Sequence, residues 1–332
     1  MGVGLEAIGR PLLAAAREAD TASEFTDEVA RLIRPWIPHD SYLVSGQDPV
    51  TGASCLWLAD QRYLAELTER LYEIDVPLYW YGPWSAGRAA ASAPVRLLDG
   101  RRARGSGERT HKLVSLLAEG GRALGSLTLL RVGRQPFTTA DVELAGALSE
   151  PLAKALRRFI AGGTLRPPRR TVAPGVVTVG ADHDVLGITP TARESLRVLR
   201  PDDQAVDDRQ LVSVLWNTVY LARQGCRRAL SRLPTPDGWL AVHAEPYELN
   251  GSRAVAVTVE AAQGELLLPV LATWYRASPA ELGVVRQVIA GLPSKQVARR
   301  LELSVHTVHD HLRSVYRKTG VAGRDELLAR LG

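Results

Sequence analysis

The sequence predicts an α+β chain: two small bodies of sheet and helix, then a purely helical terminal module. Three observations carry this prediction. Alternating apolar runs bounded by turn residues occur in two separate stretches before residue 262. Helical-period runs lie among them. After residue 266 only the helical period remains, and serines stand where helices would start. The chain has 332 residues, which at about 150 residues per domain suggests two or three domains. Each is long enough to bury a core without a disulfide or metal. The hydrophobic fraction of 45% and charged fraction of 23% exclude collagen-like, low-complexity and wholly disordered classes.

The first body is expected over residues 1–160. Phe25, Val29, Leu32 and Ile33 recur at helical spacing and Pro35 ends that helix. Ser41–Ser45 and Ser54–Leu58 read as strands. Tyr63, Leu64, Leu67, Leu71 and Ile74 mark another amphipathic helix. His111–Ala118 and Ala123–Val132 form a hairpin through Glu119-Gly120-Gly121-Arg122. Thr138 then caps a helix, with Asp141 closing a capping box and Pro151 bending the helix further on. Residues 161–174 combine glycine, proline and arginine with no acid, the composition of a solvated basic linker.

The second body is expected over residues 175–262. Val176–Val179 and Asp184–Ile188 are short strands. Thr189-Pro190 starts one helix, and Gln210–Arg223 forms a second. Trp239–Glu245 and Arg253–Glu260 alternate around the turn residues Asn250-Gly251. No repeat occurs at solenoid periods.

Charge singles out the rest. Residues 266–332 hold ten basic and five acidic side chains, a net +5 that equals the charge of the whole chain. A basic module on a neutral body suggests a polyanionic partner, nucleic acid above all. The two cysteines, Cys55 and Cys226, are far apart and form no zinc pattern. They fit a reducing compartment. The N-terminus lacks a secretory pattern, and the apolar run Leu266–Tyr275 contains Pro269 and is too short to span a bilayer. The expected location is the cytoplasm. No GxxxxGK[ST], GxSxG or HExxH occurs, so the chain reads as a binder without cofactor rather than an enzyme.

Within residues 277–331 four short helices follow one another. The first has Ser278 as N-cap, Pro279 at its first position and Glu281 closing a capping box; Gly291 stops it. The second follows N-cap Ser294 and buries Val297, Ala298 and Leu301. The third follows N-cap Ser304, with Val308, Leu312 and Val315 inward. The fourth begins near Gly323-Arg324 and carries Leu327, Leu328 and Leu331. Only Glu302-Leu303-Ser304 joins the second helix to the third, the spacing of a helix-turn-helix. Opposite the core stripe of the third helix lie His306, His309, Asp310, Arg313 and Arg317, a face that can enter a major groove. Arg313 can fork onto guanine, and Asp310 can accept from cytosine or pair with Arg313 or Arg317. His309 can donate or accept. Thr307, Lys295, Lys318, Arg324 and the backbone at Ser294 are phosphate candidates. His311 is placed nearer the core than the bases. His306 and His309 lack a partner that would close a metal site.

This module resembles the LuxR-type (NarL/FixJ-like) helix-turn-helix domain along its length. The resemblance rests on Ser278-Pro279-Ala280-Glu281, Ala290–Ala298, Leu301–Val308, and His311-Leu312 through Tyr316–Val321, completed by Arg324 with Glu326-Leu327. Ala280 stands where the family usually has Arg, and His309-Asp310 where many members have Lys and an apolar residue. Residues 1–160 resemble a GAF-like sensor domain through Gly125–Arg131 and Pro136-Phe137-Thr138, and residues 175–262 resemble a PAS-like domain. The resemblance implies a cytoplasmic one-component transcriptional regulator whose 266–332 module binds double-stranded DNA at an inverted repeat. It implies a homodimer through the last helix (Leu327, Leu328, Leu331), RNA polymerase as a possible partner, and a sensor body that receives a ligand or protein. Bodies that only dimerise, with no small-molecule ligand, are the alternative. For a ligand, Trp57 and the dense stretch with Tyr79, Trp80, Tyr81 and Trp84 are candidate pocket residues; they could equally anchor a core or meet a partner.

Overall fold

The computed structural model describes residues 2–60, 95–102, 109–133, 135–162, 165–166, 173–182, 184–199, 207–226, 229–236 and 238–332. The helix expected over 63–74 and the candidate pocket residues Tyr79, Trp80, Tyr81 and Trp84 lie outside the described residues.

The first body is built on a five-stranded antiparallel sheet. Its strands are β1 (Ser41–Gln47), β2 (Ser54–Ala59), β3 (Val95–Arg102), β4 (Arg109–Glu119) and β5 (Arg122–Val132), in the order β2-β1-β5-β4-β3. Gly120 and Gly121 join β4 to β5 with φ of 57° and 78°, the two left-handed residues that a tight hairpin turn of this twist requires. At Gly125 a Cβ would fall 1.9 Å from the Ser45 backbone oxygen, so only glycine lets β5 lie against β1 here.

Helices α2 (Ala22–Ile33) and α3 (Thr139–Ile160) pack against this sheet, and α1 (Gly2–Glu18) packs on both helices. Thr138 caps α3 and the Asp141 carboxylate reaches back to the Thr138 amide at 2.7 Å. Burial pushes Asp141 up, but the Thr138 bonds and the Arg131 guanidinium outweigh it and hold the carboxyl below its ordinary range. Phe25 of α2 stacks on Phe159 of α3 with centroids 4.5 Å apart. Leu127, Leu129, Leu148, Leu152 and Leu156 are buried between sheet and helices, each stabilising by about 1.5–3 kcal/mol.

The second body repeats the plan. Its strands are β6 (Gly175–Val179), β7 (Val185–Ile188), β8 (Ala229–Thr235), β9 (Gly238–Leu249) and β10 (Ser252–Ala261), in the order β7-β6-β10-β9-β8. Numbered within each sheet, both orders are 2-1-5-4-3, a repeat of topology that the sequence does not show as a period. Thr189 caps α4 (Pro190–Arg197). The helix expected over 210–223 is instead α5 (Asp208–Val212), a 3-10 turn (Ser213–Leu215) and α6 (Trp216–Arg223).

Other departures from the expected elements have physical causes. The glycines and Pro11 of α1 hide its helical character. β8 contains Pro234 and a buried Arg232; it stands at the sheet edge, the place where a strand tolerates proline. Leu165, within the expected solvated linker, is fully buried, and its amide donates to the Thr319 carbonyl at 2.8 Å. The apolar run after residue 264 forms a 3-10 turn (Gly264–Leu267) and α7 (Leu268–Thr273), which bury Leu267, Leu268, Val270, Leu271 and Trp274.

The two bodies share one hydrophobic core and a buried ion pair. Asp48, in the turn between β1 and β2, accepts from the Arg232 guanidinium at 2.8 Å and from its amide at 3.0 Å. The side chains are 0% and 5% exposed. Thr51 adds a bond to the Leu230 carbonyl at 2.7 Å. Removing one partner of such a pair strands the other charge. We therefore expect Asp48→Ala to cost about 3–5 kcal/mol in urea unfolding followed by circular dichroism; a loss below about 1 kcal/mol would contradict the assignment.

Candidate nucleic-acid interface

The terminal module comprises α8 (Pro279–Ile289), α9 (Ser294–Arg300), α10 (Val305–Thr319) and α11 (Arg324–Leu331). Ser278 and Glu281 form the expected capping box on α8. The turn between α9 and α10 places Glu302 at φ 55°, a left-handed position that costs a non-glycine residue roughly 1–2 kcal/mol. The Leu303 amide then bonds back to the Ala298 carbonyl at 2.9 Å and its side chain joins the inner cluster. Ser304 caps α10 by accepting from the Thr307 amide at 3.0 Å. Val308, Leu312 and Val315 are buried, as their spacing requires.

The opposite face of α10 is open. His306 and Arg313 side chains are 80% and 69% exposed, and Asp310, at 50%, lies between them. One Asp310 oxygen is 2.9 Å from His306 Nδ1; the other accepts from Arg313 Nη1 at 3.0 Å. His309 and Arg317 are exposed and His311 is half-buried.

Other expected contacts are placed differently. Ser294 is the first residue of α9, not its cap; the capping position is Pro293, with extended backbone and no side-chain bond. Lys318 is turned inward. Its three N–H groups meet the Arg276 carbonyl at 2.8 Å and the two Glu281 oxygens at 2.9 and 2.7 Å, which leaves no donor for a phosphate. Arg324 is half-buried and donates to the Leu292 carbonyl at 2.7 Å. Thr307 is half-buried, with its hydroxyl 2.8 Å from that of Ser304. Leu327 and Leu331 are 0% and 1% exposed: they belong to the chain's own core and offer a second copy no surface, while Leu328 is half-buried.

The cations without a hydrogen-bond or ion-pair partner among the described residues of this module are Lys295, Arg299 and Arg300, all exposed on α9. Sequence reasoning named only Lys295. The missed signal was the absence of any acid between Lys295 and Arg300.

The body grips the module from behind. Glu119, at the end of β4, accepts from Arg157 at 2.6 Å and from Arg276 at 2.6 Å. Arg122 donates to Thr273 at 2.8 Å, and Leu165 bonds to the last residue of α10. None of these contacts touches the exposed face of α10. In the first body, Trp57 on β2 is half-buried and paired in register with Ser45, whose hydroxyl is 2.8 Å from that of Ser126. Burial pushes the Cys55 thiol well up, with Asp48 adding to the effect, so it stays protonated and unreactive.

A helix-turn-helix with an open second helix, and three unpaired cations on its first, is the form of a nucleic-acid-binding module. Residues 278–331 match the family of bacterial regulatory proteins of the luxR type; this segment is a LuxR-family DNA-binding helix-turn-helix. The chain is 34% identical over 121 residues to a candidate HTH-type transcriptional regulator of Mycobacterium bovis, covering 36% of this chain and 13% of that one. It is 31% identical over 102 residues to the nitrate/nitrite response regulator NarL of Escherichia coli K12, covering 27% of this chain and 47% of NarL. The chain thus spans less than half the length of either relative. A crystal structure of Escherichia coli SdiA aligns over 98% of this chain and 95% of its own at 13% identity and a TM-score of 0.36, too low to establish a common architecture.

Glu281 gives the module a pH signature. Burial pushes its carboxyl up, but bonds from Lys318, Ser314 and the Ser278 backbone, with the Lys318 charge, bring it down to about 2. A depressed folded value means stability that is present above about 4.5 and lost as pH falls toward about 2. In urea melts between those limits, Glu281→Gln should lose less stability than wild type as pH falls. Equal losses would contradict the pairing.

Proposed function

We propose that the chain is a one-component, sequence-specific transcriptional regulator that reads double-stranded DNA through α10 and receives a ligand or partner on its two N-terminal bodies. The open face of α10, together with the unpaired cations of α9, carries this reading. Electrostatics gives affinity through phosphates, while side chains on the open face select the bases. The regulators that resemble this chain in part agree with it.

The sensor role rests on the two bodies' shared strand order, which fits GAF-like and PAS-like domains, and on the polar, buried far side of the first sheet. Ser45, Ser126, Thr128 and Trp57 lie there, and the Thr128 hydroxyl has no partner. A buried hydroxyl without a partner is a place where a ligand's polar group would be stabilised. A homodimer on an inverted repeat and a contact with RNA polymerase complete the proposal. The dimer surface would surround Leu328 rather than use Leu327 or Leu331. No helix among the described residues is long and apolar enough to cross a membrane, in keeping with a cytoplasmic regulator.

Salt titration of binding to a fluorescent duplex tests the interface. Lys295→Ala and Arg299→Ala should each flatten the log–log salt slope by about 0.9, weakening all sequences alike. Lys318→Met should leave the slope unchanged and lower the melting temperature. Slopes untouched by both α9 substitutions would contradict the proposed phosphate contacts.

A further inference from the structure

We propose that Asp310 is a positioning residue, not a base reader. It sets His306 and Arg313 as a pair of reading groups on α10, one for an amino-bearing base and one for guanine. The proposal rests on the reading of this module as a DNA binder and names how its open face selects sequence.

Three residues spaced at i, i+4 and i+7 stand in one line along the helix surface. The carboxylate in the middle touches both neighbours, one with each oxygen, at 2.9 and 3.0 Å. It is also the least exposed of the three, at 50% against 80% for His306 and 69% for Arg313. The imidazole and the guanidinium, each on a longer side chain, are therefore the more accessible groups for a base edge.

The chemistry divides the roles. An acid entering the groove alone faces the repulsion of two phosphate strands. Between a guanidinium and an imidazole N–H, its charge is balanced where it stands. When His306 donates from Nδ1 to Asp310, the lone pair lies on Nε2, the other nitrogen of the exposed ring. That nitrogen can accept from the exocyclic amine of adenine or cytosine. Arg313 spends one of its five N–H groups on Asp310, and the rest of its planar fork remains for guanine O6 and N7. Fixing the fork beforehand removes ordering entropy that a free arginine would lose on binding. From 306 to 313 the helix advances about 10.5 Å, so the two groups meet different base pairs.

The test uses the full-length protein and a duplex that it enriches from a random pool. Every base pair of that duplex is substituted in turn. Affinities are then measured for wild type, His306→Ala, Arg313→Ala, Asp310→Ala, Asp310→Asn and the Asp310→Ala/Arg313→Ala double variant. The expected result is that Asp310→Ala weakens discrimination about three- to tenfold at the two positions that His306→Ala and Arg313→Ala identify separately. The double variant should discriminate at the guanine no worse than Arg313→Ala alone. Affinity for unrelated duplex should not fall, since removing an acid brings the protein no repulsion; a merely structural defect would lower it. A direct cytosine reader behaves otherwise. Asp310→Ala would then abolish discrimination at a third position, its loss would add to that of Arg313→Ala, and Asp310→Asn would shift that position toward adenine. Any of these overturns the proposal, as does unchanged discrimination in Asp310→Ala. A wild-type protein that enriches no duplex overturns the DNA-binding reading, and the proposal with it.

Discussion

The Lys318 ammonium is the contact on which the terminal module depends. It sits at the end of α10 and spends all three N–H groups on the start of α8, through Glu281, and on the Arg276 carbonyl. A carboxylate 6% exposed is tolerable only with such a partner, because burial otherwise favours its protonated form. The same contact extends outward. Arg276, with φ 56°, offers its carbonyl to Lys318 and its guanidinium to Glu119 of the first body. Glu119 is held in turn by Arg157 of α3. A continuous series of charge-assisted bonds thus runs from the module into the sheet body, on the side of α10 away from its open face.

This arrangement sets two groups of the module's cations apart. Arg276, Lys318, Arg324 and Arg330 hold the fold together through Glu119, Glu281, the Leu292 carbonyl and Glu326. Lys295, Arg299 and Arg300 hold nothing among the described residues. The net charge therefore points to the right module, yet a list of its basic residues does not identify the phosphate contacts. Partners separate the cations that hold the fold from the rest, and those partners lie at sequence separations such as the 37 residues between Lys318 and Glu281.

What was legible in the sequence is what neighbours determine. The capping boxes at Thr138 and Ser278, the hairpin at Gly120-Gly121, the short turn before Ser304 and the inward stripe of α10 all depend on residues a few positions apart. What was illegible depends on distant partners. β8 looks unlike a strand until Asp48, 184 residues away, gives Arg232 a reason to be buried. Leu165 looks like linker until Thr319 supplies a carbonyl. Leu327 and Leu331 look like a dimer surface until the chain's own core closes over them. Asp310 was legible as polar and outward, with Arg313 or Arg317 within its reach; its contact with His306 appears only once helical geometry sets the side chains along one line.

The body holds the module from behind and leaves the exposed face of α10 open. Hydrogen exchange of the full-length protein, with and without a duplex selected by it, tests this most directly. Slower exchange is expected in α9 and the first turns of α10, with unchanged rates at the β4–β5 hairpin, α7 and Thr319. Faster exchange at those junction sites on DNA binding would mean that the body must release the module first, contradicting an open face held from behind.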